Sequence, residues 1–345
     1  MKKVKILIYI FLFIVIVIGI VGSYFVYTEI FTPVKEVKYP TAIYIPRHST
    51  IKEVADTLSH HNLIKNKKIF YWLADKKNYS KKIIPGKYII SKPISINNLI
   101  NILRSGKQTP VYIQFNHGIK DTETLAKKLA KNIEDSPKDF IKSFNNQAFI
   151  DSLGFNKNTI LSMFIPNTYE VYWSTPARKV LLRLKKEYQK FWNKQRLQKA
   201  KSIKLTPIQV SILASIICKE TNKDDEKPII AGVYINRLRK GIPLQADPTI
   251  IFANKAWLAK RVTTKMLKVN SPYNTYKHKG LPPGPICIPD IASIDAVLNY
   301  KKHNYLYFCA KSDFSGYHAF ATTLSQHLQN AKKYQQALNR MKIYK

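Results

Sequence analysis

Residues 206–221 read TPIQVSILASIICKET, and the fold of the C-terminal half turns on this stretch. Thr206 is an N-cap residue and Pro207 occupies the first helical position, so a helix starts here. Ile217, Ile216, Leu213 and Ile212 precede Glu220 by three, four, seven and eight positions, which places the acid on the apolar stripe of its own helix. A carboxyl so placed is desolvated and faces the negative end of the helix dipole, and both effects raise its pKa. A Glu held near neutrality can serve as a general acid. The same spacing also fits a last-turn Glu turned outward, or one paired with Lys219 or Arg237.

Downstream, PIIAGVYINRL (228–238) is an apolar helix ending in Asn236 and Arg237, and Gln245, Ala246, Asp247, Pro248 and Thr249 follow a turn at Gly241. YNTY (273–276) leads into GLPPGPI (280–286), where two Gly and three Pro within seven residues fix a rigid loop. Such a loop beside Tyr and Asn suits preorganised substrate binding, or a packing turn. A strand over 305–309 and His318 with Phe320 complete the polar and aromatic inventory.

Upstream, 178–199 reads as one long basic surface helix, and 163–173 (MFIPNTYEVYW) as an aromatic run that fills a core or stacks on a ligand. Residues 122–153 are helical and polar. The stretch from 41 to 116 reads as a small α/β module: strands at 42–46, 87–90 and 111–115, with helices beginning near Ser49, Lys68 and Ser95. Ahead of a linker at 28–40, residues 6–27 run for 22 positions without a charge. As a helix they span about 33 Å, enough to cross a bilayer core of about 30 Å. Lys2, Lys3 and Lys5 precede them, so the positive-inside rule keeps residues 1–5 in the cytoplasm and the rest outside.

The chain carries 57 Lys+Arg against 21 Asp+Glu, a net charge of +36, yet 45% of its residues are hydrophobic, too many for a disordered polycation. Only nine of the cations are Arg, and Lys, Ile, Asn and Tyr are all abundant, a bias that an AT-rich genome also produces. The Lys excess favours anionic surfaces such as phospholipid head groups or acidic wall polymers. An extracytoplasmic location argues against nucleic acid as partner. Cys218, Cys287 and Cys309 are an odd, widely spaced set that supports neither a disulfide scaffold nor a thiol-only zinc site. No phosphate loop, nucleotide fingerprint or metal-ligand spacing is present, so neither a cofactor nor a metal is expected.

Taken in order, SIICKET, IAGVYINRL, LQADPT, YNTY, GLPPGPI and the late His-Ala-Phe at 318–320 give the chain its resemblance to the membrane-anchored endolytic murein transglycosylases, the YceG-like family. The resemblance implies an α+β protein: one transmembrane helix at 6–27, a LysM-like subdomain at 41–116, a helical connecting region at 117–205 and a mixed α+β catalytic domain at 206–345. It further implies a bacterial cell membrane location, peptidoglycan glycan strands as substrate and peptidoglycan synthases as neighbours. The family's catalytic acid is the last one of a Glu-Lys-Glu-Thr block, a role that carries to Glu220. The first acid of that block is Cys218 here, and Asn167 stands where the family usually has Asp. Asn236, Arg237, Gln245, Asp247, Tyr273, Asn274, Tyr276 and His318 are the residues expected to hold the glycan, with Arg237 pairing with Asp247 or a substrate carboxylate.

Overall fold

The structure is a computed structural model that describes residues 2–34, 37–259 and 261–341. Among the described residues it is mixed α+β, with three two-stranded sheets among many helices. The chain forms two compact units: residues 1–112, 132–135 and 170–176 make the first, and 113–131, 136–169 and 177–345 the second.

In the first unit, α1 (Lys2–Phe31) extends beyond the uncharged run at both ends, because nothing in its flanks breaks a helix. Its mean hydropathy reaches 3.1 and its apolar side chains are exposed, so it is long and apolar enough to cross a membrane. Its last turn, through Ile30, joins the core of a small module. There β1 (Thr41–Ile45) pairs antiparallel with β2 (Gly86–Ile90), Ile43 opposite Tyr88. Three helices, α2 (Ile51–His60), α3 (Lys67–Lys76) and α4 (Ile96–Ser105), complete the module; each starts at a side-chain cap, Thr50, Asn66 and Ser95. Ile43, Val54, Leu58, Phe70, Leu99 and Leu103 are fully buried between them, the inward positions that period-2 and period-3.6 patterning select. Arg47 ties the module to 134–135 through ion pairs with Glu134 at 2.9 Å and with Asp135.

The division runs through β3 (Val111–Phe115) and β4 (Asn167–Val171), which pair with each other. Between them lie α5 (Thr122–Leu129), α6 (Pro137–Asn145) and α7 (Gln147–Ser152). The aromatic run at 163–173 is mostly core: Met163, Phe164 and Tyr169 are buried, and Phe115 stacks on Tyr169 at 5.6 Å. Tyr172 is the member that faces solvent.

The single basic helix expected over 178–199 is two helices, α8 (Ala177–Phe191) and α9 (Lys194–Ser202). Trp192 turns inward and Asn193 caps the second, its side chain accepting from Arg196 N at 3.0 Å, so a local cap overrides continuous helix propensity. Nor is α8 merely solvated, since Val180, Leu181, Leu184 and Tyr188 bury one stripe.

The second unit is organised around α10 (Pro207–Glu220). Thr206 and Gln209 form a reciprocal capping box at its start, and every residue from Val210 to Cys218 is buried. It packs on α11 (Lys227–Arg239) and α14 (Ile291–Leu298), with α12 (Asp247–Ala253) beside it and the short α13 (Thr264–Leu267) against α12. β5 (Tyr307–Ala310) and β6 (His318–Ala321) form an antiparallel hairpin backed by α15 (Leu324–Arg340).

Candidate active site

Glu220 is the last residue of α10, and its side chain points into a cleft of about 460 Å3 within the second unit. Its neighbour across the helix pair is Tyr234 of α11, whose ring is buried and whose hydroxyl donates to Glu220 Oε1 at 2.5 Å. A buried phenol needs a partner, and here the partner is the acid. Burial pushes the Glu220 carboxyl from its ordinary 4.5 up to about 7; the Tyr234 hydrogen bond pulls it back somewhat, and the charge of Asp247 pushes it up again. Tyr234 is itself driven well above 10, first by burial and then by the Glu220 charge.

Asp247, at the start of α12, lines the same cleft and accepts from Tyr276 Oη at 2.5 Å. Burial, followed by that bond, raises the Tyr276 hydroxyl. Gln245 adopts a left-handed backbone (φ 50°), its N donates to Thr275 O at 3.0 Å and its Oε1 accepts from Arg237 at 3.1 Å. On the far wall, His318 of β6 is fixed by the buried Glu226, which accepts from the His318 backbone N at 2.7 Å and meets Nδ1 at 2.8 Å. Phe308 meets both Tyr234 and His318 edge-on, and His327 of α15 stacks on Tyr307 at 5.4 Å with its Nδ1 lacking a hydrogen-bond partner.

Glu220, Arg237, Gln245, Asp247, Tyr276 and His318 therefore share one cleft. Arg237 does not pair with Asp247. Its guanidinium donates to the carbonyls of Leu306 (2.6 Å), Pro243 and Leu244 and lies over the Tyr307 ring, so it is a buried strut of the cleft floor. Asn236, Tyr273 and Asn274 do not line the cleft. The Asn236 amide holds the carbonyls of His303 and Tyr305, that of fully buried Asn274 holds Leu267 and Val269, and Tyr273 packs on Phe252 at 4.7 Å. An Asn carries the same letter whether it faces a ligand or holds backbone carbonyls, and here the carbonyls win. The 280–286 loop is likewise a packing turn: Ile286 N donates to Ser215 Oγ of α10 at 3.0 Å.

Tyr234, Tyr307 and His327 also line the cleft and Glu226 holds His318, none of them expected from the sequence as a site residue. Tyr234 alone left a signal, as a phenol inside an otherwise apolar helix face. Also unforeseen is His117, 101 positions from Cys218, with its Nδ1 3.5 Å from the Cys218 sulfur. The neighbouring Cys287 thiol pulls the Cys218 thiol down against burial, while Cys287 itself is pushed up by the same contact.

Residues 43–333 match the sequence model of the YceG-like family. The chain belongs to the YceG-like family. This YceG-like chain is 30% identical over 332 residues to the endolytic murein transglycosylase of Bacillus subtilis, covering 91% of each. It is 28% identical over 333 residues to the enzyme of that name from Streptococcus pneumoniae, covering 84% of this chain but 58% of that longer relative. Among solved structures, a yceG-like protein of Listeria monocytogenes is 26% identical, with a TM-score of 0.55 over 84% of this chain and 98% of that one.

Proposed function

We propose that this chain is an endolytic lytic transglycosylase of peptidoglycan, cutting the β-1,4 bond between MurNAc and GlcNAc within a glycan strand. The observation that carries the reading is Glu220: an acid whose burial raises its pKa to about 7, in an open cleft walled by Tyr, His and Gln side chains. The curated relatives named endolytic murein transglycosylases support the substrate class.

Glu220 in its protonated form gives its proton to the glycosidic oxygen as the bond to muramyl C1 breaks. The resulting carboxylate takes the proton of the muramyl C6 hydroxyl, whose oxygen bonds to C1 and closes a 1,6-anhydro ring. The proton count balances and no water enters. One residue fills both roles because the nucleophile is intramolecular. Tyr234 orients the carboxyl, and Gln245, Asp247, Tyr276 and His318 line the cleft where the sugars bind; Arg237, Asn236, Tyr273 and Asn274 act through the loops they hold. Residues 1–5 lie in the cytoplasm and residues 28–345 outside it, next to the synthases that extend the strands, with 41–116 as a LysM-like wall-contacting module.

Asp247 in the same cleft favours one second reading, a muramidase that uses it to activate water. Digestion of purified sacculi by the full-length protein in detergent separates the two, because only hydrolysis adds water to the product mass. Anhydro-muropeptides are the expected product, and Glu220→Gln is expected to lower their yield about 10²–10⁴-fold. Equal yield from both proteins removes Glu220 from the mechanism.

A further inference from the structure

Outside the cleft, one constellation is left without a use by glycan cleavage. One imidazole nitrogen of His117, Cys218 Sγ and a carboxylate oxygen of Asp290 all lie within 4.8 Å of one another, brought together from three distant segments, with His117 Nδ1 3.5 Å from the sulfur. Backbone bonds hold these segments in register: Gly118 N donates to Ile288 O at 2.7 Å, and Ile288 N to Ile119 O at 2.8 Å. Asp290 is oriented from outside the cluster, with Oδ1 capping α14 through Ser293 N at 2.5 Å and Oδ2 accepting from Lys227 Nζ at 3.1 Å. Cys218 is fixed at the end of a buried helix, where the neighbouring Cys287 Sγ donates to Ser215 O at 3.7 Å.

We propose that His117 Nδ1, Cys218 Sγ and the Asp290 carboxylate bind one zinc-class divalent cation, with water as the fourth ligand. In a tetrahedral site with metal–sulfur and metal–nitrogen bonds of about 2.3 and 2.0 Å, the S···N edge is about 3.5 Å. The observed separation is 3.5 Å. A thiol–imidazole hydrogen bond has a similar length, so the third donor, within 4.8 Å of the other two, carries the argument. A thiolate, an imidazole and a carboxylate suit zinc and its neighbours; calcium and magnesium prefer all-oxygen sets. Lys227 and Ser293 supply the outer hydrogen bonds that ligating carboxylates commonly have. His117 is exposed, which gives an ion its way in and leaves room for water on that side. Bound there, the cation joins the end of α10, two residues before Glu220, to the loops around His117 and Asp290. This inference stands whether or not the chain cleaves glycans.

The test is titration of the full-length reduced protein in detergent with cobalt(II) alone, followed by zinc. One equivalent of cobalt is expected to bind with a thiolate charge-transfer band that zinc abolishes. Cys218→Ser should lose the band, Cys309→Ser should keep it, and His117→Ala should weaken binding about 10–100-fold. Exposed His117 can be replaced without opening the core, and an unchanged Tm of the metal-free variant verifies this. A wild-type protein without the band, a band that survives Cys218→Ser, or thiol counting that finds Cys218 joined to Cys287 in the protein as isolated overturns the proposal.

Discussion

A carboxyl group keeps its proton near neutral pH only where water is scarce, and Glu220 meets that condition at the end of a helix buried from Val210 to Cys218. Activity that needs the protonated acid falls as pH rises through about 7. Two neighbours move this limb in opposite directions. Tyr234→Phe removes the donor that stabilises the carboxylate, so the limb of kcat/KM shifts to higher pH, by about one unit for a hydrogen bond to a charged group. Asp247→Asn removes a like charge and shifts it to lower pH, by less than about one unit because Asp247 is exposed. Shifts of the same sign in both variants would contradict this arrangement.

The same group bears on stability. The folded pKa of about 7 exceeds the ordinary 4.5, so the unfolded chain sheds this proton first. The group's stability contribution is therefore complete below about 4.5 and lost as pH rises through 7. Glu220→Gln is expected to raise Tm above neutral pH and to leave it unchanged near pH 4.5. The gain is bounded at roughly 3 kcal/mol, and is smaller in practice because part of the side chain reaches solvent through the cleft.

At the scale of elements, the packing turn at 280–286 is the sharpest steric constraint. A Cβ on Gly284 would come within 1.9 Å of the Asn158 carbonyl oxygen, which is backbone and cannot swing away. Gly284→Ala is expected to cost more than about 1–3 kcal/mol, the usual range for overpacking, whereas Thr206→Ala, which removes half a capping box, costs about 1 kcal/mol. Denaturant unfolding of the two variants ranks them. The sequence shows why one constraint was legible and the other was not. Thr206-Pro207 announces its helix locally, and the strands at 41–45, 86–90 and 111–115 lie within a residue of where short β-type runs and the Pro85-Gly86 turn put them. Gly284 meets a residue 126 positions away, a relation that no local pattern encodes. The site divides in the same way. Glu220, Gln245, Asp247, Tyr276 and His318 fall inside short chemical blocks, and these residues share the cleft. Glu226 and His327 meet His318 and Tyr307 only when β5, β6 and α15 come together, and the amides of Asn236 and Asn274 are taken up by backbone carbonyls, relations that no local pattern encodes.

For the whole molecule, the decisive features are one apolar helix of 30 residues and a net charge of +36. The full chain is expected to sediment with membranes and to need detergent for release, and deletion of residues 2–31 should move it to the soluble fraction. Recovery of the deleted form in the membrane pellet at high salt would show that α1 is not the anchor. With 57 cations against 21 anions, residual attraction to acidic lipids or wall polymers should fade as salt screens it, so the salt wash separates anchoring from adhesion.

The burial of α10 from Val210 to Cys218 has one more consequence. An acid mounted on a loop can drift or be retuned by local motion, but this one inherits the rigidity of the domain's central rod. Warming the protein should therefore leave catalytic competence intact until the interior melts, so that inactivation and denaturation coincide in a single cooperative event.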